Sequence, residues 1–185
     1  VVGDPLLDQS LIIGTVFEDR NGNGFQDPAS LKDVRIRGGF MAGAYVANST
    51  RIDRGDGAKP EPDASAPLLH GLSLGTLAGR QSEAEPAGAN RIVISQVLRS
   101  PDFTDDLVLT ADGGVRVAMD ADGKTRSTAA DSAGKPRIER RVSQIAEGYL
   151  VEYIIRNEGI DEHGIPGVRI ATVEGVLVET DAYGR

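Results

Sequence analysis

The chain has 185 residues and a formal charge of −8, with 23 Gly, 9 Pro, no Cys and no Trp. The acidic balance excludes a nucleic-acid partner, which needs a Lys/Arg face, and suits a protein that attracts divalent cations. The lack of Cys excludes a disulfide framework and any thiolate metal site, and no apolar run approaches the roughly 20 residues of a membrane-spanning helix.

The length admits one large domain or two small ones. Residues 1–9 read as a leader or linker without a basic-then-apolar signal sequence, and both ends suggest a segment cut from a longer protein. Leu11 to Phe17 is predicted as a strand that runs straight into Asp19-Arg-Asn-Gly-Asn-Gly-Phe-Gln-Asp27. Numbered from Asp19, the oxygen-bearing residues Asp19, Asn21, Asn23 and Asp27 fill positions 1, 3, 5 and 9 of a calcium loop. Gly24 falls at position 6, where the turn needs a residue without a Cβ, and Phe25 would offer its backbone carbonyl at position 7. Position 12, normally a bidentate Glu, is Ser30. Without a metal, the Asn21-Gly22 and Asn23-Gly24 pairs would still make a polar hairpin turn.

Further along, Val34 to Arg37 alternates apolar and charged residues as a half-buried strand does. Ala44 to Val46 and Thr50 to Ile52 read as short strands. Residues 53–67 form the clearest loop. It contains Arg54-Gly55-Asp56, the tripeptide that integrins read, but a three-residue match is weak and a simple Asp/Gly turn is the expected reading. Leu68 to Leu77 is apolar but broken by glycine, an irregular strand pair, and residues 81–90 are a loop. Arg91 to Leu98 is an inner strand. Leu107 to Leu109 and Val115 to Met119 pair around Ala111-Asp-Gly-Gly114, and Asp120 to Gly123 is a second turn. Residues 124–136 read as a small, polar, mobile stretch. Tyr149 to Arg156 is a long strand, and Val168 to Val173 with Val176 to Thr180 closes as a hairpin. Nine to eleven short strands and no helix predict an all-β sandwich. No short fixed repeat supports a β-helix.

Two segments carry a family resemblance. Residues 13–27 (IGTVFEDRNGNGFQD) resemble the opening of the B-type repeats of bacterial serine-aspartate-repeat surface adhesins and their collagen-adhesin relatives. Those modules begin with a strand, continue with D-x-N-x-N-G-x-x-D and G-E-x-G-[LI]-x-G-V-x-V, and close on T-D-x-x-G-x-Y. Residues 162–170 (EHGIPGVRI) and 179–184 (ETDAYG) are similar to that second half, although more than a hundred residues separate the two parts. The resemblance implies immunoglobulin-like or prealbumin-like sandwich modules, one inserted into the other. Residues 10–28 plus 160–185 would form the calcium-loop module, and 29–159 the inserted domain. It also implies Ca2+ as the cofactor, held by Asp19, Asn21, Asn23, Phe25, Asp27 and Glu162. Glu162 would be the missing acidic ligand, with Asp161 as a substitute. In a competing alignment Leu31 to Ile36 follows the loop, and Ser30 takes the Glu position. The inserted stretch, through LKDVRI, AYVANSTRID, LGTLAG and Tyr149 to Gly159, looks like a conserved bacterial surface repeat to which no catalysis is attached.

An enzyme is not expected. The two His, His70 and His163, lie in no nucleophile or zinc context, and the adjacent Asp105 and Asp106 would point to opposite faces of a strand. The expected function is a non-catalytic, calcium-stabilised spacer in a large secreted or cell-surface adhesin-like bacterial protein. Its partners would be neighbouring modules of the same chain and a host or cell-surface ligand, without nucleic acid and without membrane insertion in this segment. The other reading is an adhesive or carbohydrate-binding module using the 53–67 loop or a sheet face. With four Tyr and four Phe, there is little aromatic surface for stacking sugars.

Overall fold

The computed structural model describes residues 13–20, 22–62, 66–82, 84, 88, 90–128, 134–173 and 175–185. Alternation of apolar and polar residues marks several of its strands, most clearly Arg91–Leu98. β1 (Leu31–Arg37), β2 (Arg51–Asp53), β3 (Ala58–Pro60), β4 (Leu72–Leu77), β5 (Arg91–Leu98) and β6 (Leu107–Thr110) come first. β7 (Arg116–Met119), β8 (Thr125–Thr128), β9 (Pro136–Ile145), β10 (Gly148–Asn157), β11 (Arg169–Ala171) and β12 (Leu177–Glu179) follow. Two antiparallel five-stranded sheets, ordered β4-β1-β6-β7-β8 and β3-β2-β5-β10-β9, pack together as an all-β sandwich, while β11 and β12 pair only with each other. Among the described residues no helix is long and apolar enough to cross a membrane.

By contact the chain divides into two compact units. Unit 1 takes Val1–Gln26 and Glu162–Arg185, and unit 2 is the continuous stretch Asp27–Asp161. Both five-stranded sheets and the whole main apolar core belong to unit 2.

In unit 2, β5 buries every second residue, and its partner β10 sets Tyr153 opposite Ile94 and Ile155 opposite Ile92 on the inner face. From the other sheet Ile36, Leu109 and Val117 face the same core. Strand β1 carries a bulge. Three residues separate Leu31 from Val34 while their partners Leu77 and Gly75 are two apart, and Asp33 absorbs the extra residue at a left-handed φ of 51°. The bulge lets both Leu31 and Val34 face inward, where each is nearly fully buried. Edge strand β9 turns Arg140 inward, with its guanidinium 3.7 Å from the Phe103 ring centre. A charge pointed inward from an edge strand discourages pairing with another chain.

Unit 1 rests on three chain segments in close approach. Phe17 bridges Gly164, Val16 N–H donates to the Gly184 carbonyl at 2.8 Å, and Ile165 N–H donates to the Val16 carbonyl at 2.7 Å. Glycine is required at two of these points. A Cβ on Gly164 would run into the Tyr183 carbonyl, and one on Gly184 would run into the Val16 carbonyl. Thr180, 8% exposed, secures the turn before β11 by donating to the Ile165 carbonyl at 2.7 Å and accepting from Val168 N–H at 2.9 Å.

The sandwich agrees with the sequence reading, but several elements differ from it. A one-turn helix, α1 (Pro67–His70), precedes β4 where a strand pair was expected. Ala42–Ala44 forms a 3-10 turn, and Tyr45 makes only an isolated bridge to Leu98. The 53–67 loop contains β3, and the stretch read as mobile contains β8. Of the first expected strand, Leu11 and Ile12 lie outside the described residues, and Phe17 makes a single bridge.

Candidate functional site

The Asp19 loop is organised by its first carboxylate. Asp19 Oδ1 accepts from Gly22 N–H at 2.7 Å and from Asn23 N–H at 3.2 Å, while Oδ2 accepts from Gly24 N–H at 2.7 Å. Asn23 Oδ1 accepts from Phe25 N–H at 2.7 Å. The loop curls around a carboxylate because Gly22 and Gly24 take φ values of 74° and 79°, which L side chains rarely adopt. Its described residues from Asp19 to Gln26 are exposed, Phe25 at 72%.

Glu162 arrives from the other end of unit 1. Its Oε1 accepts from Arg20 N–H at 2.9 Å, across 142 residues of sequence. The side chain is 5% exposed, and a carboxylate this buried requires polar partners. The fold therefore places the Glu162 carboxylate against the backbone of Arg20, the residue that follows Asp19.

The expected ligands divide as follows. Asp19, Asn23, Phe25 and Glu162 belong to unit 1, Asn21 lies outside the described residues, and Asp27 and Ser30 belong to unit 2. Asp161, named as a substitute ligand, has another task in unit 2: it accepts from Ala29 N–H through Oδ1 and from the Gln81 amide through Oδ2 at 3.3 Å. Among the described residues no three side chains of His, Cys, Asp or Glu gather into a metal-binding group. The unit 1 donors of the expected set comprise two carboxylates, one amide oxygen and one carbonyl, all hard oxygens suited to calcium. A carboxylate has about four lone-pair sites, and the N–H donors of the loop occupy three on Asp19, leaving Oδ2 a site for a cation.

The sequence reading missed the residue that holds the ends of unit 2 together. Asn157, 1% exposed, donates to the Ala29 and Leu77 carbonyls and accepts from Lys135 N–H at 2.9 Å and Gly159 N–H at 3.1 Å. A lone Asn after a strand gives no signal of this, because all but one of its partners are distant in sequence. The Arg54-Gly55-Asp56 tripeptide caps the β2–β3 hairpin. There Asp53 Oδ1 accepts from Gly55 and Gly57 N–H at 2.8 and 3.0 Å, and Asp56 pairs with Lys59. No protein-family model, curated protein or solved structure matches the chain.

Proposed function

We propose that this chain is a non-catalytic, calcium-stabilised structural module of a large, exported, adhesin-like bacterial protein. The observation that carries the reading is the buried Glu162 carboxylate, hydrogen-bonded at 2.9 Å to the backbone of Arg20 beside Asp19. The resemblance to the B-type repeats gives Glu162 the role of the acidic ligand that Ser30 does not fill. Asp19 shapes the loop through three backbone N–H groups, Asn23 and Phe25 add neutral oxygens, and Glu162 ties the loop to the second half of unit 1. Asn21 belongs to the proposed set by its position in the loop motif. A bound calcium ion would supply positive charge between the Asp19 and Glu162 carboxylates. Loops in extracellular modules bind calcium at about 0.1–1 mM, so this one would be loaded outside a cell and empty in the cytosol. Neighbouring modules of the same chain and a host or cell-surface ligand are the partners this reading implies.

Calorimetric titration with calcium, together with thermal melts in calcium and in chelator, tests the reading. Wild type should take up calcium and gain about 2.7 kcal/mol at a hundredfold excess over its dissociation constant. Asp19→Ala and Glu162→Ala should each lose both effects. Loss with Asp19→Ala alone would mean that the loop closes locally, without Glu162. No heat and no shift in wild type would leave the loop as an Asx-capped turn and end the cation reading.

A further inference from the structure

The loop contains a reactive dipeptide. An asparagine followed by glycine loses its side-chain ammonia readily, because no Cβ on the second residue hinders attack by its backbone nitrogen. Asn23 and Gly24 are both exposed, and the space around Gly24 is open, so solvent reaches them. The attacking nitrogen is nevertheless engaged. Gly24 N–H donates to Asp19 Oδ2 at 2.7 Å, and the Asn23 side-chain oxygen is held by Phe25 N–H. To react, the Gly24 nitrogen must give up its proton and swing onto Asn23 Cγ. A carboxylate bonded to that N–H opposes both steps, since it disfavours a second negative charge beside it and tethers the nitrogen in place.

We propose that Asn23 is a site of spontaneous deamidation whose rate is set by the Asp19 carboxylate. The Gly24 nitrogen loses its proton to hydroxide and bonds to Asn23 Cγ, and ammonia leaves carrying Nδ2. Water then opens the five-membered succinimide. Cleavage at Cγ gives aspartate, and cleavage at the main-chain carbonyl gives isoaspartate. One water is consumed, one ammonia is released, and nothing is oxidised. The two products act in opposite senses. Aspartate at this position is an accepted ligand in loops of this spacing and adds a negative charge beside Asp19. Isoaspartate adds one atom to the main chain and draws Gly24 N–H out of register with Asp19. The loop would therefore either strengthen or lose its hold on a cation as it ages. The chemistry itself needs no bound ion.

The test is peptide mapping of the full chain after incubation in chelator at mildly alkaline pH, with fragmentation that separates Asn21 from Asn23. Wild type, Asp19→Asn and Asp19→Ala are compared, and the urea-unfolded wild type sets the upper rate. Only variants in which Ile165 N–H keeps its exchange protection, showing unit 1 intact, enter the comparison. Asp19→Ala should deamidate at Asn23 about tenfold faster than folded wild type, the factor expected for losing a hydrogen bond to a charged group. Asp19→Asn, which keeps the shape but not the charge, should fall between them. Folded wild type reacting as fast as the unfolded chain, or both variants reacting no faster than wild type, would overturn the proposal. Calcium is left out, so the result does not depend on the cation reading.

Discussion

Asn157 and Tyr153 are buried polar residues in unit 2 with opposite accounts. Asn157 spends its amide on backbone groups of Ala29, Leu77, Lys135 and Gly159, so removing it strands several buried groups at once. Asn157→Ala should cost about 3 kcal/mol or more by urea denaturation, since each unsatisfied group costs roughly 1–3 kcal/mol. Asn157→Asp should not rescue it, because a carboxylate cannot donate to the Ala29 carbonyl; a loss below about 1 kcal/mol would rule this account out. The Tyr153 hydroxyl, in contrast, is buried without a hydrogen-bond partner among the described residues. Burial pushes its phenol up to about 12, and the neighbouring Arg140 guanidinium pulls the other way without completing a well-formed bond to the hydroxyl. The native state thus holds this proton more tightly than the unfolded chain, whose ordinary value is 10. The sign follows: stability from Tyr153 is intact below pH 10 and is lost as pH rises through 10 towards 12. Tyr153→Phe should leave neutral-pH stability unchanged or raise it by about 1 kcal/mol, and should flatten the loss in alkali. Denaturation curves at neutral and alkaline pH decide it, and an equal alkaline loss in both proteins would assign the effect elsewhere.

At the scale of elements, the three-segment ladder of unit 1 has no slack. Gly164→Ala places a methyl group against the Tyr183 carbonyl and should strip exchange protection from the Val16 and Ile165 amides while the β5 and β10 amides keep theirs. Protection left unchanged at Val16 and Ile165 would show that the segments can part without cost. The legible strands were those with strong local patterns. Arg91 to Leu98 alternates cleanly, and the turns at Ala111 to Gly114 and Asp120 to Gly123 mark their hairpins. The missed strands lack that pattern for physical reasons. β9 begins Pro-Arg-Ile-Glu-Arg-Arg and turns Arg140 inward against Phe103, so its inner face does not read as apolar. β3 is a three-residue edge ending in Pro60, and β8 is exposed along its whole length. At the site, the Asp19 turn was legible because Asp, Asn and Gly at fixed offsets dictate local hydrogen bonds. The Ala29 contact of Asp161 was not legible, because it depends on how unit 2 returns to its own starting point.

For the whole molecule, the division of the core has a consequence for unfolding. The main apolar cluster runs from Leu31 to Ile155, entirely within Asp27–Asp161. A fragment of residues 27–161 should therefore fold alone, with the near-complete tyrosine burial of the parent at Tyr153 and a cooperative melt. A fragment without cooperative unfolding would show that unit 2 depends on the rest of the chain. The first and last turns of that fragment lie side by side, joined by Asp161 to Ala29 N–H and by Asn157 to the Ala29 carbonyl. If the two ends of that isolated fragment are pulled apart, the tension meets these bonds, and those of Gly159 and Asp161 to Arg80, before it reaches the interior of a strand. This clasp is therefore the fragment's first resistance to load at its ends.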